Sequence, residues 1–223
     1  MILLNSDIDM NALISNKILK FIYHCLMRAS KWRKRIGLNS TDFSIISNNC
    51  TGGYVYQYFG ISYRTPTEGI GLSVDDYLRL IQRPKYYFTH KLRFVEPSTT
   101  ERYRLGEHFI YPAAVIDDIT VYFRHYPTRE EAEEKWTRRS SRINYNKLIF
   151  LLTESETMRD EHVSIFENLI GQKQVPGILL TTQNITGAHT KHVDNVPQVN
   201  GVPQWKPEII LTSVDWKKVI NSL

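Results

Sequence analysis

In residues 43–49, Phe43-Ser44-Ile45-Ile46-Ser47-Asn48-Asn49, a short apolar run of strand-forming side chains ends abruptly in small and amide ones. The run empties into Cys50-Thr51-Gly52-Gly53 and then into the aromatic stretch Tyr54-Val55-Tyr56-Gln57-Tyr58-Phe59. In an α/β protein, a strand that ends in small, amide and glycine residues is a place where backbone N–H groups can face a ligand, often an anionic one. Ser47, Asn48, Asn49, Thr51, Gly52 and Gly53 are therefore the candidate ligand-binding residues, with hydroxyl and amide groups suited to sugars or phosphates. The turn lacks the Gly-Lys-Ser/Thr of a Walker loop and the Gly-x-Gly-x-x-Gly of a dinucleotide site. The competing reading is a strand-to-helix turn whose glycines serve backbone geometry alone.

The rest of the chain alternates strand and helix patterns. Ser73 is placed to cap a helix from Val74 to Gln82, with Asp75 and Asp76 in its positive first turn and Pro84 to stop it. Tyr86-Tyr87-Phe88 and Leu92-Arg93-Phe94-Val95 read as strands. So do Ala113-Ala114-Val115-Ile116 and Ile119-Thr120-Val121-Tyr122-Phe123, interrupted by Asp117-Asp118. Thr128 opens a helix, with Glu131 as its capping partner and the i,i+4 pairs Glu131/Lys135 and Glu134/Arg138 along it. Lys147-Leu148-Ile149-Phe150-Leu151-Leu152 is the clearest buried strand, followed by a helix over 160–169 and a strand at Gly177-Ile178-Leu179-Leu180-Thr181. Residues 183–207, rich in Asn, Gln, Gly, Pro and Thr, read as a long surface loop. Ile209-Ile210-Leu211 reads as a short strand, and residues 214–223 as a terminal helix. The alternation predicts an α/β fold, Rossmann-like, with a largely parallel or mixed central sheet flanked by helices. Residues 41–223 form this one domain, and residues 1–40 carry a separate helix.

That N-terminal helix concentrates much of the formal charge of +5. Lys17, Lys20, Arg28, Lys31, Arg33, Lys34 and Arg35 stand there without an acidic residue among them. Ile14, Ile18, Phe21, Ile22, Cys25, Leu26 and Ala29 recur at helical spacing. The apolar runs are too short and broken to span a bilayer. Asp7 and Asp9, with no small-residue cleavage site beyond, speak against a signal peptide. Over residues 14–36 the chain can lie on an anionic membrane, with Trp32 at the interface, or pack on the domain and present a solvated basic face. Nucleic acid is not an expected partner, because the basic cluster is confined to one helix without an accompanying motif. Cys25 and Cys50 are the two cysteines, which fits a reducing compartment and no disulfide framework. Cys50, close to a helix start, is also a conceivable nucleophile.

Two further clusters carry chemistry. Asp117 and Asp118 at a strand break lie a few residues from His125; such a set can supply a general base or a divalent-metal ligand, and equally plain turn chemistry. Asp118 and His125 are the candidate catalytic residues. Arg138 and Arg142, four apart, share a helix face on which they can grip a phosphate. No metal-ligand set is assigned, and magnesium or manganese is the cofactor for which room is left.

In order along the chain, Ser47-Asn48-Asn49-Cys50-x-Gly-Gly, Tyr63-Arg64-Thr65-Pro66-Thr67, Tyr111-Pro112 through Asp117-Asp118-Ile119, and Phe123-Arg124-His125-Tyr126 form a pattern. The stretch from Glu131 through Trp136-Thr137-Arg138-Arg139-Ser140-Ser141-Arg142-Ile143-Asn144 completes it. The set resembles a bacterial family catalogued as domain of unknown function 1919, whose members are commonly labelled exopolysaccharide or capsule biosynthesis proteins. The resemblance covers roughly residues 43–169, departs at Thr51, where an aromatic residue is expected, and fades after about Gly171. It implies a cytoplasmic transferase of surface-polysaccharide biosynthesis, glycosyl transfer first, acting on a nucleotide sugar or a lipid-linked glycan at the inner membrane face. The alternative within the same pathway is a non-catalytic carbohydrate-binding or assembly protein, whose thirteen tyrosines would stack on sugars.

Overall fold

The computed structural model describes residues 17–223; Asp7, Asp9 and Ile14 lie outside them. The described residues open with helix α1 (Lys17–Arg35), then strand β1 (Ser44–Ser47) and helix α2 (Thr51–Phe59). Helices α3 (Val74–Gln82) and α4 (Pro84–Thr89) precede β2 (Arg93–Val95), the short helix α5 (Glu101–Arg104), β3 (Ala113–Ile116), β4 (Ile119–Tyr122) and α6 (Arg129–Ser140). The second half holds β5 (Leu148–Thr153), α7 (Asp160–Lys173), β6 (Gly177–Thr181), β7 (Thr190–His192), β8 (Gln198–Val199), β9 (Val202–Pro203), α8 (Pro207–Ser213) and α9 (Trp216–Asn221).

The central sheet has the order β1-β5-β6-β7, and every pair in it is parallel. Ile46 faces Phe150 across the first pair, and Thr153 faces Leu180 across the second. Because side chains alternate along a strand, the continuous apolar run of β5 supplies two cores at once. Leu148, Phe150 and Leu152 join Ile46 and Leu179 against α3, α6 and α7. Ile149 and Leu151 join Phe43, Ile45 and Leu180 against α2, α8 and α9. The sheet is thus covered on both faces, as its hydrophobicity requires. A separate antiparallel sheet, β2-β3-β4, adds Ala114, Ile116, Ile119 and Val121 to the first core.

Several local expectations hold for the physical reasons that motivated them. Ser73 accepts from the Asp76 N–H at 3.1 Å and starts α3, and Thr128 accepts from the Glu131 N–H at 3.2 Å and starts α6. Between β3 and β4 the chain reverses in two residues, with Asp117 in the left-handed region at φ 53°, a conformation short acidic side chains tolerate.

Three expectations are corrected. Tyr86-Tyr87-Phe88 belongs to helix α4 and Ile209-Ile210-Leu211 to helix α8. Both helices have proline near their start, where the missing N–H costs nothing and the fixed φ favours a helical turn. Residues 183–207 are not one irregular loop. They contain β7, which extends the central sheet, and the β8–β9 hairpin, which turns on Asn200-Gly201 at φ 51° and 76°. Val196 and Trp205 from this segment enter the core, and the Trp205 Nε1–H donates to the Glu154 carbonyl at 2.8 Å. The segment is thereby strapped to the end of β5.

Candidate functional site

At the carboxyl end of β1, the polar side chains of the turn are turned inward and used by the protein itself. Asn48 is buried; its Nδ2 donates to the Thr153 carbonyl at 2.9 Å, and its Oδ1 accepts from the Thr153 N–H at 3.1 Å. Asn49 Nδ2 donates to Thr153 Oγ1 at 2.8 Å. The two amides lace the end of β1 to the end of β5. The first N–H groups of α2 are also taken: Thr51 donates to Asn49 Oδ1 at 3.0 Å, Gly52 to Ser47 Oγ at 3.3 Å and Gly53 to the Cys50 carbonyl at 3.0 Å. Groups that could meet an anion from outside, judged on sequence, satisfy the helix start from within.

The two glycines are explained by close approach. A Cβ on Gly52 would lie 2.9 Å from Ser47 Oγ and 3.0 Å from Ile45 Cγ2, so α2 packs directly on β1. A Cβ on Gly53 would overlap Glu68 Oε2. The Glu68 carboxyl therefore occupies the space over the first turn of α2, where the helix dipole favours negative charge. Its Oε2 is buried without a hydrogen-bond partner, as is Thr51 Oγ1. Burial pushes the Glu68 carboxyl up to about 7, against the pull of the Arg139 charge. Arg139 Nη1 donates to the Glu68 backbone carbonyl at 2.9 Å and to the Tyr126 hydroxyl.

The Glu68 charge acts on Cys50, Tyr54, Tyr63 and Tyr126, and Arg139 acts on Glu68 in turn. Burial raises the Cys50 thiol, the Glu68 charge adds to it, and the Tyr54 hydrogen bond and Arg124 oppose it. A thiol held protonated is a poor nucleophile, which counts against covalent chemistry at Cys50. Burial pushes the Tyr54 hydroxyl up to about 12, so Tyr54 is a hydrogen-bond donor throughout the neutral range. The Arg139 guanidinium lies 5.1 Å from the centre of the Tyr63 ring. Arg124, packed against Gly71, faces Glu107 and Glu156 at 3.6 Å each. Those carboxylates also pair with Arg102, and beyond them opens a cleft of about 600 Å³ bordered by Asp75, Asp76, Tyr122 and Arg159.

The sequence candidates do not all converge here. Ser47, Asn48, Asn49, Thr51, Gly52 and Gly53 form the floor. Asp118 accepts from the Tyr87 hydroxyl at 2.7 Å and pairs with Arg79 at 3.9 Å, at the tip of the β3–β4 hairpin; none of these contacts reaches the turn. The His125 N–H donates to the Gly69 carbonyl at 3.1 Å, which brings its backbone next to Glu68 while its side chain is exposed. Arg138 is exposed and paired with Glu134 at 2.8 Å. Arg142 does not share its face, because α6 ends at Ser140. The inward arginine is Arg139, one position along the same helix. Glu68 and Arg124 are not among the sequence candidates; Glu68 directly follows Tyr63-Arg64-Thr65-Pro66-Thr67, and Arg124 lies within Phe123-Arg124-His125-Tyr126. Among the described residues, no three His, Cys, Asp or Glu side chains gather as a metal site. Tyr56, Tyr77, Tyr87, Tyr122 and Tyr126 are buried, so much of the tyrosine supply serves packing.

Fold and site together define an α/β protein with a strapped parallel sheet and a buried carboxyl at its carboxyl edge. The chain matches the family described as Domain of unknown function (DUF1919) over residues 22–199 and belongs to it. The match runs beyond residues 43–169 at both ends, so α1 and the strap fall mostly inside the family's extent. A relative described as "Uncharacterized protein", from Haemophilus influenzae (strain ATCC 51907 / DSM 11121 / KW20 / Rd), is 29% identical over 132 residues. That alignment spans 59% of this chain and 59% of the relative's length.

Proposed function

We propose that this protein is a transferase of bacterial surface-polysaccharide biosynthesis, acting at the cytoplasmic side on a sugar activated through phosphate. The observation that carries the reading is the Glu68 carboxyl, raised to about 7 over the first turn of α2, with Arg139 beside it and Arg124 acting on the neighbouring Cys50. A general base works best when its pKa lies near the working pH, and Glu68 meets that condition. In the reaction, the acceptor hydroxyl gives its proton to Glu68 as its oxygen bonds to the anomeric carbon. The bond from that carbon to the phosphate oxygen breaks, and the electron pair leaves with the phosphate. Arg124 and Arg139 offset the charge that develops there. Glu68 thus takes the base role first sought at Asp118 or His125, and Arg124 and Arg139 the phosphate role first sought at Arg138 and Arg142.

The test is a thermal-stabilisation panel of nucleotide sugars and lipid-linked glycans on the purified chain, with and without magnesium or manganese, followed by turnover on the best ligand. A ligand at one hundred times its dissociation constant adds roughly 2.7 kcal/mol, which shifts melting clearly. Glu68→Gln should keep that shift and lose turnover by roughly a hundred- to ten-thousandfold. Selective glycan binding without turnover on any donor would replace the transferase by an assembly protein.

A further inference from the structure

Helix α1 is attached to the domain by the side opposite its apolar face. Its contacts with the domain are made by basic residues of its last turns. Arg35 Nε donates to the Phe59 carbonyl at 2.6 Å, Arg35 also reaches the Gly60 carbonyl, Lys34 Nζ sits 4.2 Å over the Tyr58 ring, and the Lys31 side chain lies against Gly60. At 100° per residue, Lys20, Lys31, Lys34, Arg35 and Arg28 share one arc of the helix, and Phe21, Trp32, Cys25, Ala29, Ile22, Leu26 and Leu19 the other, where exposed Arg33 stands between Ile22 and Leu26. The second arc is bare: Phe21 is 70% exposed, Leu26 65% and Trp32 64%. Of the two arrangements open on sequence, a helix packed by its apolar face is therefore not the one found. A row of large apolar side chains left in water calls for an occupant.

We propose that α1 docks this protein on an anionic lipid surface, lying in the plane of the membrane with Phe21, Ile22, Leu26 and Trp32 among the acyl chains. Charge complementarity selects this occupant. The 19 residues of α1 include seven Lys or Arg and no Asp or Glu, so the helix meets a negative surface without an opposing charge. Arg28 borders the apolar arc beside Phe21 and Trp32, where a cation can reach headgroups as the rings enter the interface. No helix among the described residues is long and apolar enough to cross a membrane, so α1 lies on the bilayer rather than through it. The inference uses no residue of the Glu68 site and stands apart from the transferase reading.

The experiment is flotation of the purified full chain with phosphatidylcholine vesicles and with mixed phosphatidylcholine–phosphatidylglycerol vesicles. The chain should float with the anionic vesicles alone and be released by salt. Trp136, Trp205 and Trp216 are buried, so a blue shift of tryptophan emission on binding should come from Trp32 and vanish in Trp32→Phe. A basic residue near an anionic surface contributes about 1 kcal/mol, so Lys20→Gln with Arg28→Gln should weaken binding roughly 25-fold. Leu26→Glu should abolish flotation without moving the melting temperature. Equal binding to neutral vesicles would overturn the proposal. So would failure to float with either vesicle, or a solution dimer that Leu26→Glu dissolves, which would make a second copy the occupant.

Discussion

Replacing Glu68 with glutamine should stabilise the protein above pH 7 and leave its stability near that of the native chain only below about pH 4.5. The native carboxyl titrates at about 7 instead of the ordinary 4.5, because burial penalises its charged form. Between those values the folded protein keeps a proton that the unfolded chain has released. Stability contributed by the protonated group is therefore fully present below 4.5 and declines as pH rises through 7. At 1.36 kcal/mol per unit the shift corresponds to roughly 3 kcal/mol, and the side chain's partial access to water brings the expected figure to about 2. Glutamine fills nearly the same volume and never ionises, so the variant lacks this decline. Urea unfolding of both proteins across the window gives the difference directly. Asp76, also raised by burial, to about 6, titrates in both and cancels. A difference that does not change with pH would mean that Glu68 titrates at its ordinary 4.5 in the folded protein too, and its assignment as a general base near neutral pH would fall with it.

Two further perturbations separate structural from functional polar groups. Asn48→Ala strips the three side-chain bonds to Thr153 at a buried site and should cost about 2–3 kcal/mol by urea unfolding; a loss below about 0.5 would mean that the β1–β5 lacing is dispensable. Arg138→Ala, at an exposed ion pair, should change stability by less than about 0.5 kcal/mol, whereas Arg139→Ala, which frees the Glu68 carbonyl and the Tyr126 hydroxyl, should cost about 1.5–3. Equal costs would show that the two arginines are not distinguished as described.

How far the sequence could be read depended on whether the deciding contact was local. Ser73 and Thr128 announce α3 and α6 because a cap and its partner stand three residues apart. Prolines 84 and 207 were equally local signals, but a proline that stops one helix also starts the next, and the aromatic and β-branched residues after each suggested strands. Asn200-Gly201 carried the hairpin signal inside a segment whose composition suggested only a loop.

The amino-acid order by itself determined the class of fold: β5 is apolar from Leu148 to Leu152, so it needs cover on both faces, and the helical patterns on either side provide it. It also determined that α1 would be amphipathic and basic. What the tertiary structure decided was where each polar group finds its partner. The Asn48 amide meets Thr153, 105 residues away, instead of a ligand, and Glu68 comes to rest over Gly53 because Gly53 leaves the room. The pKa of that carboxyl belongs to no local motif, since it depends on how much water the packed helices and strands exclude. The outward apolar face of α1 depends likewise on which arc of the helix meets α2, and amphipathic spacing alone does not choose between them.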